Sequence, residues 1–139
     1  MGHSFLRNPD PVNYFATPLN KLIPVCCIQM PMRMTVLASG SRGNCTVIST
    51  SQGSILMDAG ISCRETIKRM REAGEDPHQL KAIVISHEHA DHVAGLQVLT
   101  RKLKLPVFMT GAIYQSWRRW ARDKEDKPAK LDRVEYFEA

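Results

Sequence analysis

The chain has 139 residues, room for one ordinary domain at most. Its apolar share of 43% excludes a disordered chain, and no run reaches the ~20 apolar residues that span a bilayer. A formal net charge of +5 suits a phosphate-rich partner without requiring one.

Residues 1–33 hold five of the eight prolines and show no sustained period, so they read as a weakly ordered extension or a leader. The apolar stretch 22–32 is short and broken by Pro24 and Pro31, which argues against a signal peptide. Met32 and Met34 stand where regular structure begins, and either is a candidate start. From there to residue 139 the sequence reads as one domain.

The domain opens with an apolar run at 35–37, a turn-rich loop at 38–44 and a second strand at 45–49. A turn at 51–53 returns the chain through 55–57, which predicts an antiparallel start. Ser62 and Glu65 have the spacing of a capping box. Cys63, Ile67 and Met70 give the following helix an apolar face, and Arg64, Lys68, Arg69, Arg71 and Glu72 are expected on its solvent side. Gly74 ends that helix. Residues 82–85 suit a strand buried on both faces. Val93, Leu96, Leu99 and Leu103 predict a second helix, 106–110 a strand, and Ile113, Trp117 and Trp120 a third helix with the tryptophans in the core. A charged loop at 123–130 precedes a last strand at 134–137. The order β-β-β-α-β-α-β-α-β is an α/β layout with helices packed on a sheet.

Cys26, Cys27, Cys45 and Cys63 form no C-x-x-C pair, and the first two are adjacent, a spacing poorly suited to a disulfide. Reduced thiols in a cytoplasmic protein are the expectation.

Three of the five histidines crowd into the loop after the fourth strand: His87, His89 and His92, with Asp91 between them. His87 and His89 are two apart, so an extended segment puts both rings on one side. Asp91 and His92 fall at the entry of the next helix and can serve a second cation. Two metals ~3.5–4 Å apart can activate a water and neutralise charge on an attacked phosphoryl or carbonyl group. The plain reading of Asp91 is an N-cap. Three imidazoles packed without a cation would gain nothing and would repel when protonated, so metal binding is expected.

The run His87-Glu88-His89-Ala90-Asp91-His92 resembles the H-x-H-x-D-H signature of metallo-β-lactamase fold hydrolases. Leu56-Met57-Asp58-Ala59-Gly60 resembles their upstream strand ending in Asp-x-Gly. The stretch 36–45, with its A-S-G-S-R-G-N, is similar to the opening of the YycJ/WalJ-like branch, which is associated with exonuclease activity on DNA. The resemblance runs over residues 34–137. It implies an αββα sandwich, of which a mixed sheet with packed helices, the N-terminal half, is present. It implies two divalent cations, zinc or manganese with iron as a further option. His87 and His89 would bind the first cation, and Asp91 and His92 the second. Asp91 would also be the catalytic proton carrier for the leaving group. Asp58 would orient the histidine loop by hydrogen bonding without touching metal. No separate organic cofactor is implied.

That family completes its site with later ligands, another histidine, a bridging aspartate and a last histidine. No histidine follows His92 here, and Asp123, Asp126 and Asp132 lie in or beside the lysine-rich loop. The expectation is therefore a truncated, N-terminal piece, with an apolar sheet face lacking the missing C-terminal half. Weak cation binding and little activity follow from it.

Between His92 and Asp123 there is no acidic residue and six basic ones, among them Arg118, Arg119 and Arg122, candidate nucleic-acid contacts. The leading functional expectation is a dinuclear metal-dependent phosphodiesterase or exonuclease with single-stranded DNA as substrate and no membrane association. The alternatives are a glyoxalase-like thioesterase or lactonase of the same fold, and an inactive fragment.

Overall fold

The computed structural model describes residues 31–124 and 130–138. Most of the expected N-terminal extension lies outside them, as do Cys26, Cys27 and the middle of the charged loop. Three strands open the domain: β1 (Arg33–Ala38), β2 (Cys45–Thr50) and β3 (Gly53–Met57). They pair as an antiparallel meander. The first strand thus begins at Arg33, inside the expected extension. Arg33 is anchored there by an ion pair of 2.8 Å to the buried Glu75. The same carboxylate accepts from Thr35 Oγ1 at 2.8 Å and ties the sheet edge to the end of the first helix.

That helix, α1 (Cys63–Glu72), starts at Ser62, whose hydroxyl accepts from Glu65 N. The capping box is made on one side only. The Glu65 carboxylate turns forward to Arg69 Nε at 2.8 Å, which holds its pKa below the ordinary value. Arg69 is half-buried, not on the solvent side as expected. Its Nη1 donates to Leu37 O at 2.8 Å and fastens α1 to the end of β1. Gly74, in the left-handed region at φ +74°, terminates the helix as expected.

After a 3-10 turn (Pro77–Gln79), β4 (Leu80–Val84), β5 (Val107–Met109) and β6 (Val134–Tyr136) are added in parallel. The sheet order is β1-β2-β3-β4-β5-β6. Sequential parallel strands joined by right-handed crossovers carry every crossover helix to one face. Among the described residues one core holds Val47, Leu56, Ile83 and Val107 from alternate strand positions. Met70 of α1 and helical Leu96, Leu99 and Trp117 pack in the same core, and all eight are fully buried.

The intervening strand positions point the other way. Met34, Ile48 and Ile55 lie in register across β1, β2 and β3, and Met57, Val84 and Phe108 across β3, β4 and β5. These side chains are half-buried or exposed, with no described helix over them. The fourth strand is therefore buried at Ile83 on the helix side, while on the other side Ala82 is buried and Val84 is partly covered.

The second expected helix is two: α2 (Ala90–Val93) and α3 (Leu96–Leu103). The break falls at Gly95, whose N–H leaves the helical ladder and donates to Ala59 O at 2.8 Å. A Cβ at Gly95 would overlap the Ile61 carbonyl oxygen, so only glycine lets the two segments approach this closely. The last helix, α4 (Gly111–Lys124), buries Trp117 completely and Trp120 in part, as expected.

Cys45 and Cys63 are free thiols. Burial pushes the Cys45 thiol up to about 12, only partly offset by a hydrogen bond with Thr66.

Two predictions follow from the packing. Trp117→Ala should destabilise the fold by about 3–5 kcal/mol, whereas Val36→Ser on the open face should change stability by about 0.5 kcal/mol or less. Urea unfolding midpoints compare them, and equal losses would contradict the one-sided core. The raised Cys45 pKa means that its stabilising effect is complete below the unfolded thiol pKa of ~8.5 and fades as pH climbs from there toward 12. At pH ~8 the folded thiol should resist N-ethylmaleimide and react in urea, as read by peptide mass spectrometry. Rapid native labelling of Cys45 would refute this.

Candidate metal centre

The meander makes β1 and β3 run the same way, and β4 runs parallel to β3. Their carboxyl ends therefore share one edge of the sheet. Three loops meet there: 39–44, 58–62 and 85–89. Open α/β sheets place their sites at such an edge.

Asp58 stands first after β3 with φ +60°, a conformation that aspartate tolerates better than most residues. Its N–H donates to Val84 O, which fixes the backbone against β4. The carboxylate then points into the next loop. Oδ1 accepts from Ser86 N at 2.9 Å, and Oδ2 lies 2.8 Å from Ser86 Oγ and 2.7 Å from His92 Nδ1.

An ionised carboxylate only accepts, so the proton positions follow. Ser86 Oγ–H and His92 Nδ1–H both donate to Asp58. Ser86 Oγ is then left to accept from His87 Nδ1–H at 2.9 Å. Both imidazoles are thereby held with Nδ1 as the donor, which leaves Nε2 as the nitrogen that could face a cation, the arrangement that partners impose on metal-binding histidines.

The rings are adjacent. The His87 centroid is 3.7 Å from that of His92 and 4.7 Å from that of His89, the latter pair edge to face. His92 Nε2 lies 3.5 Å from Asp91 Oδ2. Asp91 is not an N-cap. It sits inside the first turn of α2, and His89 holds the cap position. The donors, imidazole nitrogens with a carboxylate, fit a divalent transition cation in kind. Among the described residues no group of three or more histidine, cysteine or acidic side chains is placed to hold a metal ion.

One contributor was missed in the sequence reading. Asn44 Nδ2 donates to Asp91 Oδ2 at 2.8 Å and lies 2.9 Å from His92 Nε2. Its backbone N–H donates to Asp91 O at 2.7 Å, and its carbonyl accepts from Gly60 N. The only available signal was its place at the end of the A-S-G-S-R-G-N loop.

Gly60 explains the glycine of Asp-x-Gly. A Cβ there would overlap the Asp91 carbonyl oxygen and crowd Asn44 N at 2.5 Å. The backbone of the histidine loop rests on this residue, and Ala59 N donates to His92 O at 2.8 Å.

The candidate nucleic-acid arginines are not brought to this edge. The last helix starts there and returns across the sheet to the opposite edge, where β6 begins. At 1.5 Å per residue, Arg118, Arg119 and Arg122 lie roughly 10–17 Å along it. Arg118 rests over the Tyr114 ring, and Arg119 donates to Ser116 Oγ.

Comparison with known proteins gives a consistent result. The profile of the Metallo-beta-lactamase superfamily matches residues 38–138. The chain is 40% identical over 79 residues to "Exodeoxyribonuclease YycJ" of Bacillus anthracis, covering 57% of this chain and 30% of that protein. It is 35% identical over 88 residues to "Exodeoxyribonuclease WalJ" of Streptococcus pneumoniae, covering 63% and 33%. The chain thus spans about a third of the length of these curated relatives. Among solved structures, the subclass B3 metallo-beta-lactamase MEM-A1 from a soil metagenome library superposes with a TM-score of 0.58 at 24% identity. That match covers 76% of this chain and 43% of the other, and shows the fold. No described helix is long and apolar enough to cross a membrane.

Gly60→Ala should force the histidine loop off its seat. The expected outcome is a loss of about 1–3 kcal/mol in stability and weaker zinc uptake by calorimetric titration. Unchanged zinc binding in a folded variant would refute the close-approach role.

Proposed function

The chain belongs to the metallo-beta-lactamase superfamily, and from that membership we propose that it carries the N-terminal part of a metal-dependent phosphodiesterase acting on single-stranded DNA in the cytoplasm. The observation that supports this reading is the Asp58–Ser86–His87/His92 network, which occupies Nδ1 of both rings and sets His92 Nε2 3.5 Å from Asp91 Oδ2. The two exodeoxyribonucleases among the relatives support the choice of DNA over a thioester or a lactone.

In this proposal His87 and His89 hold one divalent cation, and Asp91 and His92 hold another, zinc or manganese. When bound, such cations supply activation of water and stabilisation of charge on a phosphoryl group. The residues of the chain do the rest. Asp58 keeps the His92 ring in one tautomer and orientation, and Ser86 does the same for His87. Asn44 holds Asp91 against His92. Asp91 takes up the proton that the attacking water loses and passes it to the departing oxygen of the sugar. No group of three or more histidine, cysteine or acidic side chains among the described residues is placed to hold a metal ion, so the proposal needs further ligands and a closer approach of His87, His89, Asp91 and His92. Cation binding to this chain alone is accordingly weak.

The test pairs binding with chemistry. Zinc or manganese titration should show saturable uptake that falls at least tenfold in His89→Ala. Incubation with either metal should give slow hydrolysis of single-stranded DNA, abolished by EDTA and by the same substitution. Thioester or lactone turnover without DNA hydrolysis would overturn the substrate choice. Absence of metal uptake by the folded chain would overturn the metal reading.

A further inference from the structure

The loop 39–44 also borders a cleft that no histidine lines. This cleft is open, lies between the loop and α1, and measures about 570 Å³. Ser39, Ser41, Arg42 and Arg69 supply its polar lining, with Ile61 as a floor, and no acidic residue lines it. Arg69 spends two N–H groups on Glu65 and Leu37 O, which fixes the guanidinium and leaves further donors free. Arg42 is exposed and makes no hydrogen bond or ion pair among the described residues.

The loop is held firmly although its arginine has no partner among the described residues. Gly43 N donates to Gly40 O at 3.0 Å, closing a turn whose glycines sit at φ +135° and +149°. A side chain at Gly43 would press on Gly60 O and Ile61, so the loop is seated on the Asp58–Gly60 segment. Gly40 N also donates to Asn44 Oδ1 at 3.0 Å, and the same carboxamide touches Asp91 and His92. The cleft is thus coupled through one residue to the candidate cation ligands.

We propose that this cleft is a phosphate subsite. Arg42, with the Ser39 and Ser41 hydroxyls, takes a phosphodiester of the nucleic-acid strand neighbouring the bond to be cut. A guanidinium matches phosphate oxygens with paired N–H donors, and hydroxyls complete such contacts. The proposal rests on the nucleic-acid reading above and assigns the backbone contact to Arg42, not to the arginines of α4.

The experiment is fluorescence polarisation of a labelled single-stranded oligodeoxynucleotide with the full chain in EDTA, over a range of KCl concentrations. Arg42→Ala should weaken binding about five- to tenfold. It should also lower the slope of log affinity against log salt by about 0.7, the share of one phosphate contact on a single strand. Arg42→Lys should restore the slope and only part of the affinity. Arg119→Ala should change binding less than about twofold, and unfolding midpoints should show all three variants folded. An Arg42→Ala chain that binds like the parent, losses of equal size for Arg42 and Arg119, or a parent chain that does not bind would each overturn the subsite. Zinc titration separates this outcome from the metal reading. Metal uptake without oligonucleotide binding defeats the subsite alone, and Arg42-dependent binding without metal uptake defeats the metal reading alone.

Discussion

The site depends on one carboxylate accepting several hydrogen bonds at the end of a strand. Asp58 leaves β3 in a left-handed conformation, and that turn aims its oxygens at the loop leaving the neighbouring parallel strand. It receives the Ser86 N–H, the Ser86 hydroxyl and His92 Nδ1–H together. Hydrogen bonds to an ionised acceptor are stronger than neutral ones, and each here also fixes a ring or a backbone plane. Without this acceptor, neither His87 nor His92 would have a partner that fixes its ring.

The second constraint is backbone packing. Asn44 N to Asp91 O, Gly60 N to Asn44 O, Ala59 N to His92 O and Gly95 N to Ala59 O stitch three loops into one layer. Glycines at 60 and 95 permit the close approach, since a side chain at either would occupy a neighbouring carbonyl oxygen. The same stitching breaks the helix after His92, because Gly95 gives its N–H to Ala59 and not to the ladder. Site geometry and helix boundary are thus consequences of one contact. The arrangement is seated on a sheet covered by helices on one face. The other face presents Met34, Val36 and Met57 without a described layer over it.

Much of this was legible in the sequence, for identifiable reasons. Strand and helix order followed from the change of hydrophobic period, and Trp117 declared itself as core through its spacing from Ile113. The histidine loop was visible because ligand types that are rare in the chain were concentrated in seven residues. Asp58 was expected beside that loop from its Asp-x-Gly setting, and its carboxylate lies 2.7 Å from His92 Nδ1. Arg69 was misplaced because amphipathic reasoning assigns every charge to solvent, whereas its long side chain reaches a strand-end carbonyl while remaining half-buried. Glu65 looked like half of a capping box, but a guanidinium one turn onward outcompeted the backbone N–H for its carboxylate.

Asn44 marks the division most clearly. An asparagine in a glycine-rich turn has no period, no charge and no ligand spacing, so nothing local distinguishes it from any turn residue. Its role arises because two antiparallel pairings and one parallel pairing bring residues 44, 58–60 and 91–92 to the same edge. The sequence by itself determined which side chains were available, in what local conformation, and that imidazoles and a carboxylate would emerge from a buried strand. The tertiary structure alone decided which of them share protons. Hydrogen bonds require partners within about 3 Å, and separations of 28–48 residues along the chain become such distances only once the sheet has closed.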